Sequence, residues 1–228
     1  MRKSTFVISV LVAVAVVAAG GLFASNMGFK LNYQLAAAGD STSYGTSQSG
    51  NNVLALPYNR QAGIDDSQQL VDDIVASGGA VTNVQRFDEA TDGLETFTPG
   101  AKGATPFALV PGEALFVVMA AGGGVDYITV GSHDPSLSVP LEGPADPGSA
   151  SGSNFFAVPY HTTAADSQDL VDSIGAASVT NVQRFNESND GIEIFTPGAK
   201  GAVPFPVVAG EGYFVTMSAT VNHVPSHF

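Results

Sequence analysis

Apolar and polar residues alternate along FKLNYQL, which puts Phe29, Leu31, Tyr33 and Leu35 on one face of a strand. Further on, VLALPY and FFAVPY are short apolar runs closed by a proline, which cannot donate to a ladder and so marks a strand's end. The period then changes. In DSQQLVDDI, Leu70, Val71 and Ile74 form a stripe at helical spacing, and DSQDLVDSI repeats the pattern. Asp66 and Asp166 stand where an N-cap is wanted, and Gly78 and Gly175 follow near the helix end. VTNVQRF reads as a strand, and the Asp-Gly step in DEATDGLETF or NESNDGIEIF turns the chain into another. ALFVVM and GYFVTM are apolar enough for buried central strands. After the first of these, Gly122, Gly123 and Gly124 turn the chain toward VDYITV, which is expected to pair with it as a hairpin.

These elements occur twice in the same order. The offset between matched residues is 102 at Pro57 and Pro159, 100 at Ser67 and Ser167, and 98 at Arg86 and Arg184. Two short deletions therefore flank the helix, where loops tolerate them, and the chain is a tandem duplication. LSVPLEG stands before the second copy as FKLNYQL stands before the first, and GDSTSYGTSQSG and GPADPGSASGS connect these leading strands to their modules. The expected fold class is α+β and β-rich, with two homologous modules of about 100 residues, each a small, mostly antiparallel sheet with one helix. The expected boundaries are 1–24 for an N-terminal leader, 25–131 for module 1 and 132–228 for module 2.

The leader changes the picture of compartment. Arg2 and Lys3 precede an apolar stretch ending in small residues, the layout of a signal peptide, with an uncleaved anchor as the alternative. Ala19, Gly21 and Ala24 are all acceptable cleavage positions. The rest of the chain is expected outside the cytoplasm: secreted, periplasmic or on the cell surface. It keeps 21 acids but only the bases Lys30, Arg60, Arg86, Lys102, Arg184 and Lys200. Such a chain is repelled by phosphate, so nucleic acid is not an expected partner, and the membrane is met only through the N-terminal segment. There is no cysteine, so the fold rests on its apolar core.

The succession LPY, capped helix, VxxVQRF, FTPG and GEGYFV resembles small tandem β-rich modules of bacterial secreted and cell-surface proteins. That resemblance implies an accessory or structural part without catalytic machinery. The first copy departs from it, with Ala114 and Leu115 where the second has Gly212 and Tyr213.

Two repeat-matched pairs of bases, Arg86/Arg184 and Lys102/Lys200, are candidates for a pair of anion-binding sites. The structural alternative pairs each arginine with an acid of its own module, Glu95/Glu193 or Glu113/Glu211, for which its planar fork is suited. TPGAKG lacks the spacing of a phosphate loop and reads as a proline-glycine turn. Asp88, Asp92 and Gly93, with Asn186, Ser188, Asp190 and Gly191 in the second copy, leave room for a surface calcium site. An EF-hand is excluded because Pro99 and Pro197 occupy the twelfth position. None of His133, His161, His223 and His227 is matched to a histidine in the other copy, and no Ser-His-Asp set or G-x-S-x-G elbow is present. The expected function is therefore that of a non-catalytic structural or adhesive component of the cell surface or matrix. Its expected partners are other surface components, polysaccharide or copies of itself. One alternative is a carbohydrate- or peptide-binding module using Tyr58, Tyr160 and Tyr213 as stacking surfaces. Another is a fibre subunit that assembles by donating its FKLNYQL strand.

Overall fold

The computed structural model describes residues 29–40, 47–60, 63–132, 134, 136–158 and 162–225. The leader, Tyr160, His133, His161 and His227 lie outside the described residues. Module 1 contains β1 (Phe29–Leu35), β2 (Asn51–Ala55), β3 (Asn59–Arg60), α1 (Ser67–Ala76), β4 (Val81–Asp88), β5 (Gly93–Phe97), β6 (Ala114–Met119) and β7 (Val125–Ser132). Module 2 contains β8 (Val139–Leu141), β9 (Ser153–Ala157), α2 (Ser167–Ile174), β10 (Val179–Asn186), β11 (Gly191–Phe195), β12 (Gly212–Met217) and β13 (Val221–His223).

Each module is built on a four-stranded antiparallel sheet, ordered β2-β6-β4-β5 in the first and β9-β12-β10-β11 in the second. The most apolar strands, β6 and β12, are internal, as a run buried on both faces must be. The duplication extends to irregularities of register: the ladder slips between Val81 and Asn83 in one sheet and between Val179 and Asn181 in the other. Each helix lays its stripe on one face of its sheet. Leu70, Val71 and Ile74 pack with Val84, Phe97 and Val117 in one core, and Leu170, Val171 and Ile174 with Val182, Phe195 and Val215 in the other.

The leading strands behave as a matched pair. β1 pairs along its whole length with β7, and β8 pairs with β13. A buried asparagine ties each to its sheet. Asn52 accepts from the Ala36 amide and donates to the carbonyls of Ala36 and Gly50, and Asn154 does the same with Glu142 and Gly152. Buried amides left unpartnered are costly, so this bonding fixes where the leading strand ends.

The expected β6–β7 hairpin does not form. Both edges of β6 are already occupied, by β2 and β4. The glycine turn, closed by the Gly123 amide on the Ala120 carbonyl, instead carries β7 into a separate sheet with β1 and β3.

The opposite faces of the two large sheets pack on each other. Val53, Phe87, Ala114 and Phe116 from module 1 meet Phe155, Phe185 and Phe214 from module 2. Phe155 stacks on Phe116 at 5.0 Å and on Phe214 at 4.1 Å between ring centroids, while Phe87 meets Phe214, and Phe185 meets Phe116, edge to face.

The N-caps give a direct test of the local signals. The Asp66 carboxylate accepts from the Gln69 amide at 2.8 Å, and that of Asp166 from the amides of Gln168 and Asp169. Replacing either aspartate by alanine is expected to lower stability by about 1 kcal/mol in a denaturant titration.

Candidate functional site

The alternation of β4 and β10 sends Arg86 and Arg184 to the helix side of each sheet and Phe87 and Phe185 to the side where the sheets meet. Arg86 donates from Nε to Glu95 Oε2 at 2.7 Å, its Nη2 stands 2.6 Å from the same oxygen, and Nη1 donates to the Ala108 carbonyl at 3.2 Å. Arg184 repeats this with Glu193 and the Pro206 carbonyl. Each guanidinium lies over a ring, Phe107 at 4.8 Å or Phe205 at 5.0 Å.

The repeated FTPGAKGA run delivers that ring. It is two consecutive turns. The Ala101 amide bonds to the Thr98 carbonyl and the Ala104 amide to the Ala101 carbonyl, with Gly100 (φ +74°) and Gly103 (φ +80°) in the left-handed region that such turns need. Beyond them, Phe107 donates its amide to Ser67 Oγ at the helix start and lies across the arginine, and Phe205 does the same with Ser167. Lys102 and Lys200 stay exposed on the turns.

Where the modules meet, the contacts are reciprocal, as across a two-fold axis. Ala55 donates its amide to the Gly210 carbonyl, and Ala157 donates to that of Gly112. Gln48 donates to the Glu187 carbonyl, and Ala150 to that of Glu89. Ser49 Oγ donates to Asp190 and Ser151 Oγ to Asp92, at 2.8 and 2.7 Å. These bonds cover the edges of β2 and β9, which would otherwise be open to other strands.

A cleft opens on each side of this junction. One, of about 340 Å³, is lined by Arg86, Phe87, Glu89, Glu113, Val139 and Phe155. Its counterpart is lined by Arg184, Phe185, Glu187, Glu211 and Gly212, with Val53 from the other module. Each cleft thus holds an arginine and a repeat-matched pair of glutamates, and Asp88 and Glu95 also line the first. Burial pushes all four of these glutamates up, Glu113 and Glu187 to about 7, and the charge of Glu89 raises Glu113 further, as that of Glu211 raises Glu187. Glu89 is also raised by Asp88 and Glu142, and Glu113 by Glu95, while Arg86 opposes the shift in both.

The halves differ in detail. Glu187 Oε1 accepts the Val53 amide across the junction at 2.8 Å. Glu113 accepts the Val110 amide directly at 3.2 Å, but in module 2 the Tyr213 hydroxyl stands between, accepting from Val208 and donating to Glu211. That is the structural meaning of Tyr213 where the first copy has Leu115.

The predicted site residues are therefore placed as follows. Arg86 and Arg184 border the clefts with their guanidinium groups engaged by Glu95 and Glu193. Tyr58 is 6% exposed and donates its hydroxyl to the Ala157 carbonyl of the other module. Tyr213 is fully buried. Neither ring has a face open to a ligand, because both are needed inside. The loop oxygens considered for calcium are also engaged: Asp88 holds Ala90 and Thr91, Asn186 holds Ser188, and Asp92 and Asp190 hold the serines of the other module. Among the described residues, no group of three or more His, Asp or Glu side chains gathers as a metal site. His223 is buried against Phe156, which lowers its pKa to about 4. The glutamates of these two pairs had a visible signal, since Glu89/Glu187 and Glu113/Glu211 are matched at the offset of 98 that relates the arginines.

No family model matches the chain, and neither the curated proteins nor the solved structures include a significant match to it.

Two expectations follow from this geometry. Arg184→Ala removes a partly exposed pair together with its ring contact, and should cost about 1–2 kcal/mol in chemical denaturation. The raised acids set a pH dependence. In the folded chain Glu113 and Glu187 keep protons up to about pH 7 that the unfolded chain has lost near 4.5. Their contribution to stability is therefore fully present at mildly acid pH and is lost as pH rises through that window. The melting temperature of Glu113→Gln/Glu187→Gln, relative to the unaltered chain, should climb between pH 5 and 8, and a constant difference would contradict this.

Proposed function

We propose that the chain is an exported, non-catalytic structural or adhesive component of the cell surface or matrix. The observation that carries this reading is where the faithfully repeated residues go. Arg86/Arg184, Phe107/Phe205, Asn52/Asn154 and the turn glycines are all engaged in holding each module's own elements together. What was kept through the duplication is a rigid paired body rather than a constellation that reacts with something. An N-terminal leader pattern and a strongly acidic exported part agree with a place outside the cytoplasm. The two clefts favour a second reading, in which the body binds a cationic group such as an amine-bearing peptide or amino sugar between its paired carboxylates.

Protease treatment of intact cells, followed by detection of the chain, tests the first reading together with an adhesion assay on a deletion strain. The expected result is loss of the chain on treatment and reduced adhesion in the deletion strain. A chain protected inside intact cells would overturn it. Saturable binding to a peptide or glycan array, abolished by Glu89→Gln/Glu113→Gln, would favour the second.

A further inference from the structure

The two faces that meet at the junction differ, and the differences compensate. Module 1 presents Val53 and Ala114 where module 2 presents Phe155 and Gly212. The larger ring is accompanied by the smaller axial residue, and the smaller side chain by the larger one. Gly212 is not held in a left-handed conformation, so its backbone does not demand glycine. The surroundings do. A Cβ at this position would overlap the Ala114 methyl of the opposite module, and would stand 3.0 Å from Phe155 Cε2 and 3.0 Å from Val53 Cγ1. Cores packed at crystal density have no slack for such an addition.

We propose that Ala114 and Gly212 form a pairing code at the axis of the junction, which holds one methyl group and no more. A module 1 face then fits a module 2 face and rejects a second module 1. Two module 1 faces would bring Ala114 against Ala114, with two methyls where one fits. Partner choice set by a steric clash with the wrong mate is an established way of making an interface specific. The tandem order of the chain supplies the right mate at high effective concentration. Where one chain docks on another through this surface, the code rules out module 1 against module 1. This inference goes beyond the surface-component reading and does not depend on it.

The test uses the full chain in four forms: unaltered, Gly212→Ala, Ala114→Gly, and the double exchange. Hydrogen exchange is followed at the amides of Ala55 and Ala157, which bond across the junction, with Leu70 and Leu170 inside the helices as internal references. Gly212→Ala is expected to reduce protection at Ala55 and Ala157 at least tenfold while the helix amides hold, and the double exchange to restore it. Unchanged protection in Gly212→Ala would overturn the proposal. So would a double exchange no better protected than Gly212→Ala, since the added methyl would then be clashing with Phe155 of its own module. If Gly212→Ala fails to fold, the double exchange decides alone: a folded, protected chain supports the code and an unfolded one refutes it.

Discussion

Phe116, Phe155 and Phe214 stack where the two sheets face each other, and the form of the molecule follows from that contact. Each sheet is covered by a helix on one face only, so its other face must be buried by something else. The other module supplies the cover. Stacked and edge-on rings contribute beyond the area they bury, and truncating such a ring in a packed core costs about 3–5 kcal/mol. Once the sheets are apposed, the edges of β2 and β9 receive the carbonyls of Gly210 and Gly112, and the loops after β4 and β10 clamp the segments ahead of β9 and β2. The clefts and their half-buried glutamates exist because of this apposition.

Within each module a second interaction holds sheet, turn and helix together. The guanidinium of Arg86 or Arg184 joins an edge strand through glutamate, a loop through a carbonyl and a ring through its flat face. A pair this exposed adds little by charge alone. Its value is positional, because the ring it covers belongs to the residue that bonds the helix N-terminus. Glu95 and Glu193 also place an exposed charge on the edge strands β5 and β11, which discourages further strands from joining there.

Much of the fold was legible. Capping aspartates, the helical stripe, the Asp-Gly turns and the alternation of FKLNYQL are local signals, and the structure places each as read. The hairpin expected between β6 and β7 was misread because a glycine run shows that the chain turns, not which edges are still free. The second turn in FTPGAKGA was missed for lack of a proline. The junction was hidden for another reason: Phe87, Phe116 and Phe214 read as ordinary strand residues, and nothing local says that they look toward a different sheet. The arginine partners were among the alternatives that spacing offered. Asn52 and Asn154 gave only their repetition, and their role needs the leading strands in place.

The modules form one body through an aromatic junction, rather than two beads on a linker. Nuclear Overhauser spectra of the chain without residues 1–24, with ring protons labelled only in phenylalanine, test it most directly. A shared junction requires cross-peaks between Phe116 and Phe155 and between Phe87 and Phe214, whose ring centroids lie 5.0 and 5.3 Å apart. Cross-peaks confined to rings of the same module, such as Phe155 with Phe214, would contradict it.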